Sequence, residues 1–538
     1  MTLPPPPIDS HLPRMLIEQC RRRGNRLKVA DSTGTELTGY DVLIRTLALR
    51  RILDREVLSD DEKYVGVLLP PSVPATVVNF ALTLSKRVAV NLNYTVSSSI
   101  LNRCTELAGI RHILTSRKVM EKLDLKLDAQ VVFLEDLKDK ATLLDKANAF
   151  LYGRLAPVSM LLSALRLRHV APHDPLTIIF TSGSTGTPKG VVLTYENIAS
   201  NVLAIRDAIG LDDHDVILGV LPFFHSFGYT VTLWTAMALP PAGVFHYSPL
   251  EPRPIGKLAE KYKATVLLAT PTFLRNYIKR IEPHQFKQLE VVVVGAEKMP
   301  LALAEEFEKT FGVRPVEGYG TTELSPLVSV NLPPKRSRSK EPHGGLREGS
   351  VGQCVPGVHA RIVDADDGRP LEIGQTGMLQ IKGPNVMQGY LHQEELTAKV
   401  IKDGWYETGD IAFLDQDGFI HITGRLSRFS KIGGEMVPHI QIEETIHQIL
   451  GLGEEGKVPA VVTAVPDAKK GERLIVLHLP MEKTPADVIK GLSQAGLPNL
   501  YLPSEESFLE VPEIPVLGTG KLDLKGMQRV ALEHFGQG

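Results

Sequence analysis

Runs of consecutive apolar residues recur through the first half of the chain, each followed by Gly, Pro or Ser and then by a helical pattern. The clearest are residues 64–69 (YVGVLL), 176–180 (LTIIF), 265–268 (TVLL) and 289–294 (LEVVVV). Apolar runs that do not alternate predict strands buried on both faces, the signature of parallel sheets covered by helices. From about residue 352 the period changes to two. Segments 358–363 (VHARIV), 378–382 (MLQIK) and 419–423 (FIHIT) are separated by turn chemistry at Asp367-Gly368, 375–377 and Asp417-Gly418. Alternation with such turns predicts a small antiparallel β subdomain over about 350–424. After Gly424 and Arg425 the texture mixes a helix (441–450), strands (458–465 and 474–479) and a glycine-rich turn before a last helix. The expected fold is therefore α/β: a large N-terminal domain over 1–426, with parallel-type sheets between helices, and a separate α+β lid over 427–538.

Residues 216–250 contain no Asp, Glu, Lys or Arg. Pro222, His225, Gly228, Pro240, Pro241 and Gly243 cut that stretch into pieces too short to span a bilayer as one helix, so it is read as buried core beside an apolar ligand cavity. Residues 160–170 (MLLSALRLRHV) carry Arg166 and Arg168 and read as an amphipathic helix or flap, with contact to a membrane surface as the other reading. The start of the chain lacks a basic segment followed by an apolar one, which points to a cytoplasmic address.

Composition narrows the classes. The 538 residues hold 60 Lys and Arg against 62 Asp and Glu, a net charge of −2. That balance argues against a nucleic-acid-binding surface. Three widely spaced cysteines, Cys20, Cys104 and Cys354, suit a reducing compartment and offer neither a disulfide framework nor a zinc site. The basic cluster between Pro334 and Gly344 (Lys335, Arg336, Arg338 and Lys340) reads as a mobile surface loop.

The sharpest chemical signal is TSGSTGTPKG, residues 181–190, coming off the run 176–180. Hydroxyls and unhindered backbone N–H groups in a glycine-rich turn cradle phosphate oxygens, and Lys189 adds a point charge. The Walker pattern GxxxxGK[ST], counted from Gly183, requires Gly at 188 and Ser or Thr at 190, where the chain has Pro188 and Gly190. This is a phosphate loop of another kind.

The loop is similar to the signature of the adenylate-forming superfamily, which groups acyl-CoA and acyl-carrier-protein synthetases, peptide synthetase adenylation domains and luciferases. Further motifs of that superfamily follow in order: Gly318-Tyr319-Gly320-Thr321-Thr322-Glu323, Tyr406-Glu407-Thr408-Gly409-Asp410, Gly424-Arg425 and Gly518-Thr519-Gly520-Lys521. The resemblance covers essentially the whole chain. It implies an enzyme that joins a carboxylate to the α-phosphate of ATP, expels pyrophosphate and uses Mg²⁺ to cancel phosphate charge.

The resemblance also distributes roles. Thr181, Ser182, Gly183, Ser184, Thr185, Gly186 and Lys189 would hold the leaving phosphates, with Glu323 and Thr181 at the metal. Tyr319 would stack on adenine, with Gly295, Ala296 and Glu297 along the base and Gly320, Thr321 and Thr322 completing the nucleotide site. Asp410 would accept both ribose hydroxyls, with Arg425 as its partner. Lys521, on the lid, would place its ammonium between the substrate carboxylate and the α-phosphate, and Lys431 would touch nucleotide. The lid would then rotate so that Gly433 and Gly434 face the site for pantetheine entry. Its usual pivot is a charged or Lys-type residue, whereas this chain has Ser427.

Pro222-Phe223-Phe224-His225-Ser226-Phe227-Gly228 resembles the motif bordering the substrate carboxylate, with His225 and Gly228 beside it. The charge-free run that follows, including Val231 and Trp234, suits an alkyl chain, since each buried methylene is worth about 0.8 kcal/mol. A medium- or long-chain fatty acid is the expected substrate. The wording of the motifs is most similar to the acyl-acyl carrier protein synthetase branch. The expected acceptor is therefore holo-acyl carrier protein, with CoA as the alternative; Arg425, Arg428, Lys431 and the basic cluster 335–340 offer a docking patch that suits an acidic carrier protein and the 3′-phosphate of CoA alike.

Overall fold

The computed structural model describes residues 11–182, 188–333, 336, 345–433, 435–451, 458–467, 470–516 and 522–536, and gives only the backbone at Ser182, Glu435 and Met436. The chain divides into two units: residues 1–361, 380–408 and 414–421 form the first, and 362–379, 409–413 and 422–538 the second.

Two sheets build the first unit. One runs in the order Gln353–Cys354, Leu327–Val330, Pro315–Gly320, Val291–Val294, Val266–Ala269, Val216–Gly219, Ala242–Phe245, Leu27–Asp31, Glu36–Thr38. Its centre is parallel, with Val291–Val294 paired to Val266–Ala269 on one side and Pro315–Gly320 on the other. All four valines are buried, as the β-branched run predicts. The second sheet runs Gly389–Tyr390, Pro188–Thr194, Pro175–Ser182, Val88–Asn91, Tyr64–Val67, His112–Thr115, Gln130–Phe133.

In that sheet the reading of residues 176–180 as a purely parallel strand needs correction. Strand Pro175–Ser182 is parallel to Val88–Asn91 on one edge and forms an antiparallel hairpin with Pro188–Thr194 on the other. A local apolar run reports burial and not the direction of the neighbour. The helix after the hairpin, Tyr195–Ile209, starts at a capping box between Thr194 and Asn197 and stops at Gly210 in the left-handed region (φ 73°).

The charge-free stretch becomes strand Val216–Gly219, a π-helical turn Phe227–Trp234, a short helix Thr235–Ala238 and strand Ala242–Phe245. Trp234 is wholly buried and meets Phe80 edge to face with ring centroids 5.0 Å apart. Among the described residues no helix is long and apolar enough to cross a membrane.

The second unit holds the sheet Glu435–Pro438, Phe429–Ile432, Gly471–His478, Ala460–Asp467, with Phe508–Glu510 pairing parallel to Gly471–His478. Helix His439–Leu450 covers one face through Ile442 and Ile446, and helix Leu524–Phe535 covers the other through Met527 and Ala531.

Candidate active site

In the first unit the hairpin puts Thr181 in register with Lys189 and Phe180 with Gly190. Gly183, Ser184, Thr185 and Gly186, which connect its strands, lie outside the described residues, as do Gly434, Lys521 and the basic residues Lys335, Arg338 and Lys340.

A clasp of residues 384–391 joins the hairpin to the Thr321-Thr322-Glu323 turn. Leu391 N donates to Gly190 O at 2.8 Å and Met387 N to Glu323 O at 2.8 Å. Asn385 Nδ2 donates to Leu324 O at 3.0 Å, and Ser325 Oγ to Asn385 O at 2.8 Å. Strand Gly389–Tyr390 also pairs with Val191 and Val192. The consequence is that Tyr390 meets two expected site residues at once. Its hydroxyl donates to Glu323 Oε1 at 2.9 Å, and Lys189 Nζ lies 5.2 Å from its ring centroid. Burial and the Glu323 carboxylate raise the Tyr390 pKa, and burial, Glu323 and Tyr390 raise that of Tyr406. Both phenols therefore stay protonated at neutral pH.

Sequence reasoning missed Tyr390, and it gave Tyr406 no role although it quoted the motif containing it. Neither tyrosine has a periodic signal, and each acquires its partner only through the clasp.

The fit to a divalent cation can be judged from the donors. Among the described residues no group of three or more His, Cys, Asp or Glu could hold a metal. With one carboxylate, Glu323, the site suits Mg²⁺ carried in on phosphates, since that ion keeps water and substrate oxygens and needs one or two protein carboxylates. Thr321 Oγ1 is sealed from solvent and has no hydrogen-bond partner among the described residues. A sealed hydroxyl without a partner costs about 1–3 kcal/mol, which a ligand oxygen would offset.

The neighbouring positions are shaped by close packing. A Cβ on Gly320 would lie 1.9 Å from Pro326 O, so only glycine fits there. Tyr319 stands opposite Ser329 in the adjacent strand. Gly295 follows Val294 at the C-terminal end of its strand, where open α/β sheets bind ligands. Ala296 takes φ 69°, and Glu297 accepts hydrogen bonds from Thr272 Oγ1 at 2.7 Å and Thr272 N at 3.2 Å.

Ser226 Oγ and Thr322 Oγ1 share a hydrogen bond of 3.2 Å, tying the Pro222-to-Gly228 loop to the Glu323 turn. His225 is exposed and its ring rests on Phe224 with centroids 4.5 Å apart. A Cβ on Gly228 would lie 2.1 Å from Pro222 O, so the loop closes on a glycine. Val231 and Trp234 are buried, with Trp234 in the core contact to Phe80. A surface cleft of about 620 Å³ lined by Asp61, Glu62, Lys63, Arg103 and Arg111 contains none of the expected site residues.

In the second unit Arg425 Nε donates to Asp410 Oδ1 at 2.8 Å, with Asp410 buried and the arginine largely exposed. Ser427 lies in the turn Leu426–Arg428, and Gly433 is exposed at φ 58°. Lys431 Nζ pairs with Asp366, which raises the lysine's pKa.

Within the expected basic docking surface, Arg428 and Arg336 need correction. Arg428 is buried in an ion pair with Glu443. Arg336 pairs with Asp215 at 2.7 Å and Glu290 at 2.7 Å. With Arg425 on Asp410 and Lys431 on Asp366, every described member of that set is engaged by a carboxylate of this chain. Sequence shows the cations, and the fold supplies the anions.

Residues 16–391 match the AMP-binding enzyme family. The chain belongs to that family. Among curated relatives of this AMP-binding enzyme, the long-chain-fatty-acid–CoA ligase of Salmonella typhimurium (strain LT2) is 28% identical over 489 residues, covering 85% of this chain and 83% of that protein. The oxalate–CoA ligase of Arabidopsis thaliana is 27% identical over 507 residues, 92% of each. The long-chain-fatty-acid–CoA ligase of Bacillus subtilis (strain 168) is 29% identical over 362 residues, and the match spans 65% of this chain and 60% of that enzyme. Among solved structures, ATP-bound MatB from Rhodopseudomonas palustris superposes with a TM-score of 0.76 at 24% identity, over 97% of this chain and 99% of that one. The o-succinylbenzoate CoA synthetase MenE of Bacillus subtilis, in complex with ATP and magnesium ion, gives 0.75 at 20% identity, over 96% and 99%. At these identities the superpositions establish the fold: a large N-terminal domain of sheets and helices with a C-terminal domain.

Proposed function

We propose that this protein is an ATP-dependent acid–thiol ligase that activates a medium- or long-chain fatty acid as acyl-AMP and passes the acyl group to CoA. The observation carrying the reading is the gathering of Lys189, Tyr390 and Glu323 at the foot of the phosphate hairpin. In the first step a carboxylate oxygen attacks the α-phosphorus, the bond to the β-phosphate oxygen breaks, and pyrophosphate leaves. Lys189 and the hairpin loop neutralise the leaving phosphates, and Glu323 and Thr181 would hold Mg²⁺, which would supply further charge neutralisation there. Tyr390 fixes the Glu323 carboxylate. Tyr319 and Gly295 to Glu297 receive the base, and Asp410 with Arg425 the ribose.

Lys521 steadies the charge that develops between carboxylate and α-phosphate. In the second step the thiol sulfur attacks the acyl carbonyl and AMP departs with the electron pair. Gly433 and Gly434 would receive the pantetheine arm in this second step. The apolar stretch 216–250 supports an alkyl substrate, and the three free cysteines support a cytoplasmic setting.

CoA is preferred over carrier protein because the relatives quoted above are named CoA ligases. The test is product analysis with purified protein, ATP, MgCl₂ and palmitate, offering CoA and holo-acyl carrier protein in parallel. Palmitoyl-CoA is expected. Acyl-carrier-protein product without acyl-CoA would restore the carrier-protein acceptor, and failure to release pyrophosphate with any fatty acid would overturn the activity.

A further inference from the structure

Helix Leu143–Arg154 faces the wrong way for an ordinary surface helix. Its buried positions are Asp145, Ala149 and Gly153, one every four residues. Gly153 lies against helix Gly39–Glu56, where a Cβ would stand 3.0 Å from the Ile44 side chain. Asp145 is fixed by Arg51 at 3.1 Å and Arg55 at 2.7 Å. At 100° per residue the opposite face is the apolar one. Leu143 is 84% exposed, Leu144 65%, Leu151 51% and Phe150 48%. The patch continues through Leu155 and Met160, while Leu161 and Leu162 of the next helix, Val158–Ala164, turn inward. A surface helix normally does the reverse, and a contiguous exposed apolar patch marks an interaction surface.

Charge selects the partner. Between residues 140 and 173 the basic side chains are Lys140, Lys146, Arg154, Arg166 and Arg168, and the one acid is Asp145, already buried and paired. Lys146, Arg166 and Arg168 are exposed, and the exposed Arg154 lies 5.9 Å from the Phe150 ring centroid. Lys140 is held by Glu56 at 3.6 Å, and Arg154 also lies 4.7 Å from the Tyr40 ring centroid. Leucines and a phenylalanine on one face, with Lys146, Arg154, Arg166 and Arg168 exposed on and around it, match the boundary between headgroups and acyl chains. A helix of 12 residues is about 18 Å long, too short to span and suited to lying in the plane.

We propose that the face formed by helix Leu143–Arg154 and the start of Val158–Ala164 docks on the surface of an anionic lipid bilayer. Leu143, Leu144, Phe150, Leu151, Leu155 and Met160 enter the acyl boundary, and Lys146, Arg154, Arg166 and Arg168 meet lipid phosphates. The docking requires neither ATP nor an acid substrate, so it stands or falls apart from the proposed activity.

The experiment is co-sedimentation of the full chain with vesicles of phosphatidylcholine alone or with 30 mol% phosphatidylglycerol, about the anionic content that makes basic residues count. Binding to the anionic vesicles that weakens with salt is expected. The double variant Leu144→Glu/Leu151→Glu should lose at least about tenfold in partitioning. Lys146→Glu/Arg166→Glu should lose more than about 20-fold, at about fivefold per cation removed. All four positions are exposed, and thermal melting of each variant checks that it remains folded. Absent binding by the wild type, or binding unchanged in both variants, overturns the proposal. So does light scattering that shows a dimer converted to monomer by Leu144→Glu/Leu151→Glu without vesicle binding, since the face would then belong to a second copy of this chain.

Discussion

The Tyr390 hydroxyl and Glu323 Oε1, 67 positions apart in sequence, are joined by a hydrogen bond of 2.9 Å. The bond fixes one carboxylate oxygen against the residue whose ring also lies 5.2 Å from Lys189 Nζ. Tyr390→Phe is expected to lower ATP–pyrophosphate exchange by about tenfold, the worth of one hydrogen bond to a charged group, and to raise the Mg²⁺ concentration giving half-maximal exchange. Exchange titrated with MgCl₂ checks both, and an unchanged Mg²⁺ dependence would remove Tyr390 from the site.

Thr321 Oγ1, buried without a partner among the described residues, predicts a trade between stability and ligand affinity. Thr321→Val keeps the shape and removes the hydroxyl. The free protein should gain about 1 kcal/mol while ATP binding weakens by about tenfold. Denaturant melts and calorimetric titration with ATP measure the two sides. A stability gain with unaltered ATP affinity would make the hydroxyl a structural defect only.

The second unit should weaken in mild acid. Burial, with Arg428 nearby, lowers the His439 pKa from 6.5 to about 3, while Ser430 Oγ shares a hydrogen bond of 2.7 Å with its Nε2. Between those two pKa values the unfolded chain binds a proton that the folded chain does not. Stability therefore rises with pH across that window and is lost as pH falls below about 6.5, by up to about 1.4 kcal/mol per unit. Burial raises the Glu443 carboxyl, which gives the opposite slope above its ordinary range, so wild type and His439→Gln are compared at each pH. Hydrogen exchange in strands Phe429–Ile432 and Ala460–Asp467 between pH 7 and 5 should accelerate in the wild type and stay flatter in the variant. Parallel curves would show that His439 does not set the slope.

Removing one partner of the Arg428–Glu443 pair leaves a buried charge without compensation. Arg428→Ala should cost about 3–5 kcal/mol in the second unit. If the arginine served instead to dock an acidic partner, the same variant would keep its melting temperature and lose acceptor binding.

Lys521→Ala is expected to abolish acyl-AMP formation while leaving ATP binding within about twofold, because in the proposed mechanism its ammonium acts on charge that develops in the transition state. Trapping the adenylate with hydroxylamine reads the first quantity and equilibrium binding the second. Near-normal adenylate formation would remove Lys521 from the chemistry.

Much of this protein is settled by its sequence alone. Burial of the valine run 291–294 follows from residue type over a few positions. The ordered motifs that mark the AMP-binding family are equally local. Tertiary structure decided what depends on partners far along the chain. It brought Tyr390 to Glu323, 67 positions away, and matched Arg336 to Asp215, 121 positions away. It also turned the leucines of Leu143–Arg154 outward, because Asp145 and Gly153 were the residues that fitted against helix Gly39–Glu56. Propensity and periodicity act over a turn or a strand, whereas the sign of a neighbouring charge and the side on which a helix meets the core are set by chain that returns from many tens of residues away.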